Sequence, residues 1–174
     1  VAQHGGPRFQ DVGDGRAMGQ ALSPFNAWMF LQGLETLPLR MREHCRNAET
    51  VAKHLAAKPG VTKVIFPGLE DDANIKKRNE AHMSGGWGGL VGFEMAGGAA
   101  QGAKFIDALK LLYHVANIGD ARSLAIHPWS TTHQQLSDEE KIAAGVTEGY
   151  VRLSVGIEHI DDIIADLDQA LEAL

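Results

Sequence analysis

Cysteine is almost absent from this chain of 174 residues. Cys45 is the only one, so no disulfide can form within the chain and a cluster of thiolate metal ligands is excluded. Basic runs are also short, because none exceeds the three residues at 76–78. Together with a formal net charge of -6, this argues against a surface for nucleic acid.

Long apolar runs are lacking as well. No run approaches the roughly 18 residues of a membrane span, and no basic segment followed by an apolar one stands at the start. We therefore expect a cytoplasmic protein without a membrane or nucleic-acid partner. What is present, 44% hydrophobic and 22% charged residues, is typical of a soluble globular domain.

The first half of the chain predicts one dominant helix. Residues 1–20 carry five glycines and few large apolar side chains, which indicates no packed element there. Ser23 and Pro24 form a favourable helix start, and a helix is predicted over residues 23–58. As one straight helix it would be about 52 Å long, longer than the ~40 Å diameter of a compact body of this size. Pro38 is therefore expected to kink or divide it, unless the helix reaches onto a second body.

The second half alternates between strand and helix patterns, which predicts an α/β layer with helices on one face. Strands are predicted at 61–66, 90–95, 113–118 and 151–158. Helices are predicted at 99–111, after a capping box at Ser137 and Glu140, and after an N-cap at Asp161. Residues 119–135 are predicted to be a long loop, and long loops in compact domains are often functional.

The last predicted strand, VRLSVGIE, places an arginine on its polar face. Successive side chains of a strand leave opposite faces, so Val151, Leu153 and Val155 point away from Arg152. A mid-strand arginine beside small residues can donate parallel N–H bonds to a carboxylate. The alternative, an arginine on a solvated sheet face with Glu158 as an optional partner, is equally compatible with the spacing.

Other candidate chemistry is weak. The glycines of GGWGG precede a strand, whereas a phosphate loop precedes a helix, so close packing or a bend is favoured. His127 and His133 are too few for a zinc site and are better explained as turn-stabilising side chains. Ser123, Ser130 and Thr131 lie near His133, but no nucleophile elbow surrounds any of them. The residues thus identify no catalytic, metal-binding or cofactor-binding group.

Four runs nevertheless resemble a known family. They are LSPFNAWMFLQGLETLPLRMREHCRNA, GGLVGFEMAGG, NIGDARSLAIHPWSTTH and GVTEGYVRLSVGIEHIDDIIADLDQAL. In order and spacing they resemble the C-terminal portion of the Cys/Met-metabolism enzymes that use pyridoxal 5'-phosphate (PLP). The resemblance implies the C-terminal domain of a fold-type I PLP enzyme, a small mostly antiparallel sheet with helices on one face, preceded by a long interdomain helix. Residues 1–22 would then end the cofactor-domain region, 23–58 would form the connecting helix, kinked near Pro38, and 59–174 would form the substrate-binding domain.

The resemblance also assigns two substrate-binding residues. It implies that Arg152 grips the α-carboxylate of an amino-acid substrate and that Asn117, 35 positions earlier, makes a second contact. Many relatives have serine at this second position, and an asparagine amide can still donate a hydrogen bond. Without the resemblance, Asn117 would be interpreted as a turn residue that caps Gly119.

The implied reaction is γ-replacement, which makes homocysteine from O-acetylhomoserine and sulfide with PLP as cofactor. None of the eight lysines lies in the family's cofactor-lysine context, so PLP would be bound mainly by an N-terminal portion, and this chain alone would be inactive. The expected partners are that portion, small-molecule substrates and further copies of the protein, as a tetramer. The alternatives are a cystathionine gamma-synthase or methionine gamma-lyase type of enzyme, a non-catalytic amino-acid-binding module, or an assembly domain.

Overall fold

A computed structural model describes residues 22–174 of the chain. The chain divides into two compact units, with the boundary between Pro38 and Leu39. The expectation for residues 1–22 falls almost entirely outside the described residues. None of the described helices is both long and apolar enough to cross a bilayer.

Two successive helices cover most of the region predicted to be one long helix. Helix α1 spans Pro24–Glu35, and the Ser23 side chain caps it by accepting a hydrogen bond from the Asn26 amide. Helix α2 spans Leu37–Ala56. The break falls at Thr36, two residues before Pro38. Pro38 thus lies in the first turn of α2, where a missing N–H costs nothing.

The remaining elements form a five-stranded sheet with helices between the strands. They are β1 (Val61–Ile65), α3 (Ala73–His82), β2 (Leu90–Met95), α4 (Gly98–Ala108), β3 (Tyr113–His114), β4 (Leu124–Ile126), α5 (Asp138–Ala143), β5 (Tyr150–Ser154) and α6 (Ile160–Glu172). The strand order is β1-β2-β5-β4-β3, and only the β3–β4 pair is parallel. Strand β5 therefore lies at the centre of the sheet.

One face of this sheet carries the hydrophobic core. Side chains of β2, β4 and β5 pack there with those of α2, α4 and α6. Phe93 of β2 and Phe105 of α4 meet edge to face, with their ring centroids 5.5 Å apart. The predicted α/β class, with a mostly antiparallel sheet and helices on one face, is confirmed.

Three details differ from the sequence-based expectation. A fifth strand, β4, lies inside the predicted loop. It has only three residues, all of them buried, so no alternation could be detected. Strand β3 has two residues instead of six. Strand β5 ends at Ser154 instead of residue 158, since the Ile157 amide turns to donate to the carbonyl of Ala121.

Two helices also differ from the sequence-based expectation. Residues 73–82, for which the sequence predicts no element, form α3, whose N-terminus is capped by Asp72. This helix has no apolar stripe, and none of its residues is buried. Helix α6 is capped by His159, whose ring accepts from the Asp161 amide, so Asp161 lies within the first turn. The capping box predicted at Ser137 and Glu140 is present.

Candidate functional site

Arg152 lies at the middle of the central strand. It is opposite Gly92 of β2 on one side and Ile126 of β4 on the other. Its strand neighbours Val151 and Leu153 are fully buried in the core, so the predicted alternation is observed over β5. Arg152 therefore projects from the sheet face opposite to the helices.

The guanidinium of Arg152 is held by backbone carbonyls. Its Nη2 donates to the carbonyl of Ala116 at 3.0 Å and to that of Asn117 at 3.2 Å. Its Nε is buried and has no hydrogen-bond partner among the described residues. No carboxylate within residues 22–174 forms an ion pair with Arg152. A positive charge with an unused N–H group suits an anionic oxygen ligand.

Asn117 meets Arg152 through its backbone. Its carbonyl accepts from the guanidinium, and its exposed side chain forms no hydrogen bond with the described residues. The structure thus brings the two predicted residues together. The amide contact to a carboxylate stays a prediction.

Ser154 holds Gly119, the last residue of the segment 116–119 whose first two carbonyls bind Arg152. Its Oγ accepts a hydrogen bond from the Gly119 amide at 3.1 Å. Ser154 is two residues beyond Arg152 on β5 and so lies on the same face. The sequence predicts this face for Ser154 by its spacing of two from Arg152, but it indicates no role for the hydroxyl.

Tyr150 completes this face of β5. Its ring lies over Gly92, where an added Cβ would come 2.7 Å from the phenol oxygen. Only glycine leaves room for the ring there. Burial raises the pKa of the Tyr150 phenol, Arg152 lowers that pKa in part, and Glu94 raises it. The phenol is therefore a neutral hydrogen-bonding group at neutral pH.

Glu158 does not pair with Arg152. Its two carboxylate oxygens accept from the Ser123 amide at 2.6 Å and from the Ser123 hydroxyl at 2.9 Å. The chain turns away after Ser154, so Glu158 no longer shares a strand face with the arginine. The expected Arg152–Glu158 pair is therefore wrong, whereas the choice between a substrate site and an unpaired arginine on a solvated face stays a prediction.

An open pocket of about 410 Å³ adjoins the same segment. Its walls are mainly apolar and include Met41, Trp87 and Leu90. Ser154 and Gly119 line it too, so the bond between their side chain and amide lies at its edge. His44, also in the lining, is buried and donates from Nδ1 to the carbonyl of Val155 at 2.6 Å.

The weaker candidates have structural partners. Gly86 of the GGWGG run lies against Cys45, whose Sγ would be 2.8 Å from an added Cβ, which is close packing. The His127 ring is buried between the Ser130 hydroxyl and the Glu148 carbonyl. Within residues 22–174 no three His, Cys, Asp or Glu side chains are grouped so that they could hold a metal ion.

Comparison with known proteins decides the family. The family model for Cys/Met metabolism PLP-dependent enzymes matches residues 4–172. The chain belongs to this family. The O-acetyl-L-homoserine sulfhydrylase of Leptospira meyeri is 56% identical over 157 residues, which are 90% of this chain and 36% of that protein. The L-methionine gamma-lyase of Pseudomonas putida is 43% identical over 155 residues, 89% of this chain and 38% of that protein.

A solved structure agrees with this assignment. The putative O-acetylhomoserine (thiol)-lyase of Campylobacter jejuni has a TM-score of 0.81 and 43% identity, covering 90% of this chain and 37% of that one. It was solved with a pyridoxyl-lysine monophosphate. This member of the Cys/Met metabolism family thus spans little more than a third of the length of the relatives that it matches. The family is PLP-dependent and serves methionine and homocysteine metabolism.

The lysines of this chain are mostly exposed, and the two that are not exposed are paired. All eight lie between residues 53 and 141, and six of them are exposed. Lys58 pairs with Asp168. Lys141 is buried, but it pairs with Asp138 and lies over the Trp129 ring. No lysine among the described residues is therefore both buried and unpaired.

Proposed function

We propose that this chain supplies the substrate-carboxylate site of a PLP-dependent sulfhydrylase. The complete enzyme would make homocysteine from O-acetylhomoserine and sulfide by γ-replacement. The observation that carries the proposal is Arg152, whose guanidinium has no acidic partner within residues 22–174 and whose Nε–H has no protein acceptor there. The names of the relatives, sulfhydrylase and homocysteine synthase, support the choice of reaction.

The chemistry of Arg152 is that of orientation. Its guanidinium stays charged at any physiological pH and matches the planar shape of a carboxylate. A desolvated contact of this kind contributes about 2 to 5 kcal/mol to binding. That is enough to position an amino acid, and the bond-making steps belong to other groups. Asn117 is the proposed second contact, in which an N–H group of its side-chain amide or of its backbone donates to the carboxylate.

The lysine that binds PLP is proposed to lie in an N-terminal portion of the protein, because the lysines of this chain do not fit that role. The relatives, which are nearly three times as long as the matched region, support this assignment. We further propose a cytoplasmic homo-oligomer, a tetramer as in the family. In this account the chain by itself is inactive.

Product analysis tests the reaction. The complete protein, loaded with PLP, is incubated with O-acetylhomoserine and one of three additions: sulfide, cysteine or buffer. We expect that homocysteine forms rapidly with sulfide, that little cystathionine forms with cysteine, and that O-acetylhomoserine is consumed only slowly with buffer. The absence of homocysteine under conditions in which the cofactor is bound would contradict the proposal.

A lyase of the methionine gamma-lyase type is the second candidate. It is favoured by the 43% identity to the Pseudomonas putida enzyme over 89% of this chain. Incubation with methionine alone separates the two, since a lyase releases a keto acid and a thiol without any added acceptor. Arg152 would bind the substrate carboxylate in either case.

A further inference from the structure

Arg152 and Ser154 hold one backbone segment from the same face of β5. Arg152 donates to the carbonyls at the start of residues 116–119, and Ser154 accepts from the amide at the end of this segment. All four residues of the segment are exposed. The segment lies between β3 and β4 without strand pairing of its own, so these two side chains are its ties to the central strand.

The orientation of the guanidinium depends on this segment. Within residues 22–174, no acidic side chain pairs with Arg152, and its hydrogen bonds go to the carbonyls of Ala116 and Asn117 alone. A shift of these carbonyls would free the guanidinium to adopt other rotamers. Ordering a long flexible side chain has an entropic cost that grows with the number of rotamers left open.

Ser154 is well suited to prevent that shift. It is 3% exposed, and its backbone is paired opposite Leu90 and Leu124, so its hydroxyl has a fixed position. Gly119 has a φ of 78°, a left-handed conformation that other residues adopt at a cost. The turn at Gly119 and the hydroxyl of Ser154 together set where the segment ends.

We propose that Ser154 is a positioning residue, which acts through the 116–119 segment to orient Arg152 for the substrate carboxylate. This inference rests on the proposed function of Arg152. It adds a residue to the site that does not touch the substrate. Ser154 affects substrate binding only as long as the guanidinium is present.

The first test is Ser154→Ala in the complete, PLP-loaded enzyme. We expect the KM for O-acetylhomoserine to rise about tenfold, the scale of one lost hydrogen bond, with kcat changed less than about threefold. The KM for sulfide and the cofactor absorbance should stay unchanged, which a general loss of structure would not allow. Ser154→Thr keeps the acceptor oxygen, so its KM for O-acetylhomoserine should lie close to that of the original enzyme. An unchanged KM for O-acetylhomoserine in Ser154→Ala would overturn the inference.

A double-mutant cycle separates positioning from a purely structural effect. In an Arg152→Ala background, Ser154→Ala should change kcat/KM by less than about twofold. An undiminished tenfold effect in that background would show that Ser154 acts independently of Arg152 and would overturn the inference, whatever Ser154→Thr does. Failure of the proposed function has a different signature, since Arg152→Ala alone would then leave kcat/KM unchanged.

Discussion

Buried polar side chains in this domain bind backbone groups and thereby fix the ends of strands. Asn47 donates to the carbonyls of Gly156 and Glu158, and His44 donates to the carbonyl of Val155. Both residues lie on α2 and anchor the chain where it leaves β5. Since Arg152 and Ser154 lie just before this exit, the position of the site depends on these contacts.

Asp166 performs the same function at the start of β3. It is 6% exposed, and its carboxylate accepts from the amides of Lys110, Leu111 and Leu112 at 2.8 to 3.0 Å. Asp166→Ala leaves three N–H groups without this acceptor. We expect the free energy of unfolding of the complete protein to fall by about 2 to 4 kcal/mol, measured by urea unfolding.

The matched control for this substitution is Asp162→Ala on the same helix, where the side chain is exposed. It should cost less than about 1 kcal/mol. Equal losses for the two variants would show that the three amides do not depend on Asp166.

At the scale of elements, an ionic cluster joins α6 to the C-terminal end of α2 and to the turn that follows it. Asp168 of α6 accepts from His54 at 2.7 Å and from Lys58 at 2.8 Å. Partial burial alone would raise the pKa of Asp168, but the hydrogen bonds from Lys58 and His54 outweigh it and hold the pKa below its usual value. A carboxyl whose pKa is lowered by folding stabilises the fold above its unfolded pKa of about 3.9 and loses that contribution as the pH falls through the folded pKa.

Because folding lowers the pKa of Asp168, the loss of stability caused by Asp168→Asn should depend on pH. Near pH 5 the variant should be less stable than the original protein by up to about 1 kcal/mol, the scale of a partly exposed ion pair. The difference should shrink as the pH is lowered toward about 3, as followed by urea unfolding. Glu172→Gln, an exposed site on the same helix, is the control. A difference that is constant from pH 5 to pH 3 would contradict the assignment.

The elements differ in how far the sequence predicts them. Strands β2 and β5 were predictable because one face of each is buried and the side chains alternate. Strand β4 was not, since it has only three residues and all of them are buried, so its side chains show no alternation of polar and apolar positions. Helix α3 was missed because helix prediction relied on an apolar stripe, whereas its start depends on the Asp72 cap.

For the site, alternation predicted the sheet face of Arg152 but could not choose between a ligand site and a charge on a solvated face, with or without a pair to Glu158. The turn of the chain after Ser154 decides against that pair, and it arises from long-range contacts of Asn47 and Ser123. The carbonyls that hold the guanidinium have no sequence signature, because every residue has one. Ala116 was therefore beyond sequence reasoning.

At the scale of the whole molecule, α1 is apolar around its entire circumference. Phe25, Trp28, Phe30 and Leu34 are each more than half exposed, and none of the residues of α1 is buried. A helix of this composition is typical of the interior of a larger body. This agrees with relatives of which the chain covers little more than a third, and with the proposal that the complete enzyme contains the PLP-binding portion.

The most direct test of the account is the kinetics of Arg152→Ala in the complete enzyme. The specificity constant kcat/KM for O-acetylhomoserine should fall by an amount equivalent to roughly 2 to 4 kcal/mol, because the substrate loses its carboxylate partner. The cofactor absorbance should not change. Arg46→Ala, which removes an exposed arginine of α2, should leave kcat/KM unchanged. If Arg152→Ala retains the original kcat/KM, Arg152 does not bind the substrate carboxylate and the central claim is wrong.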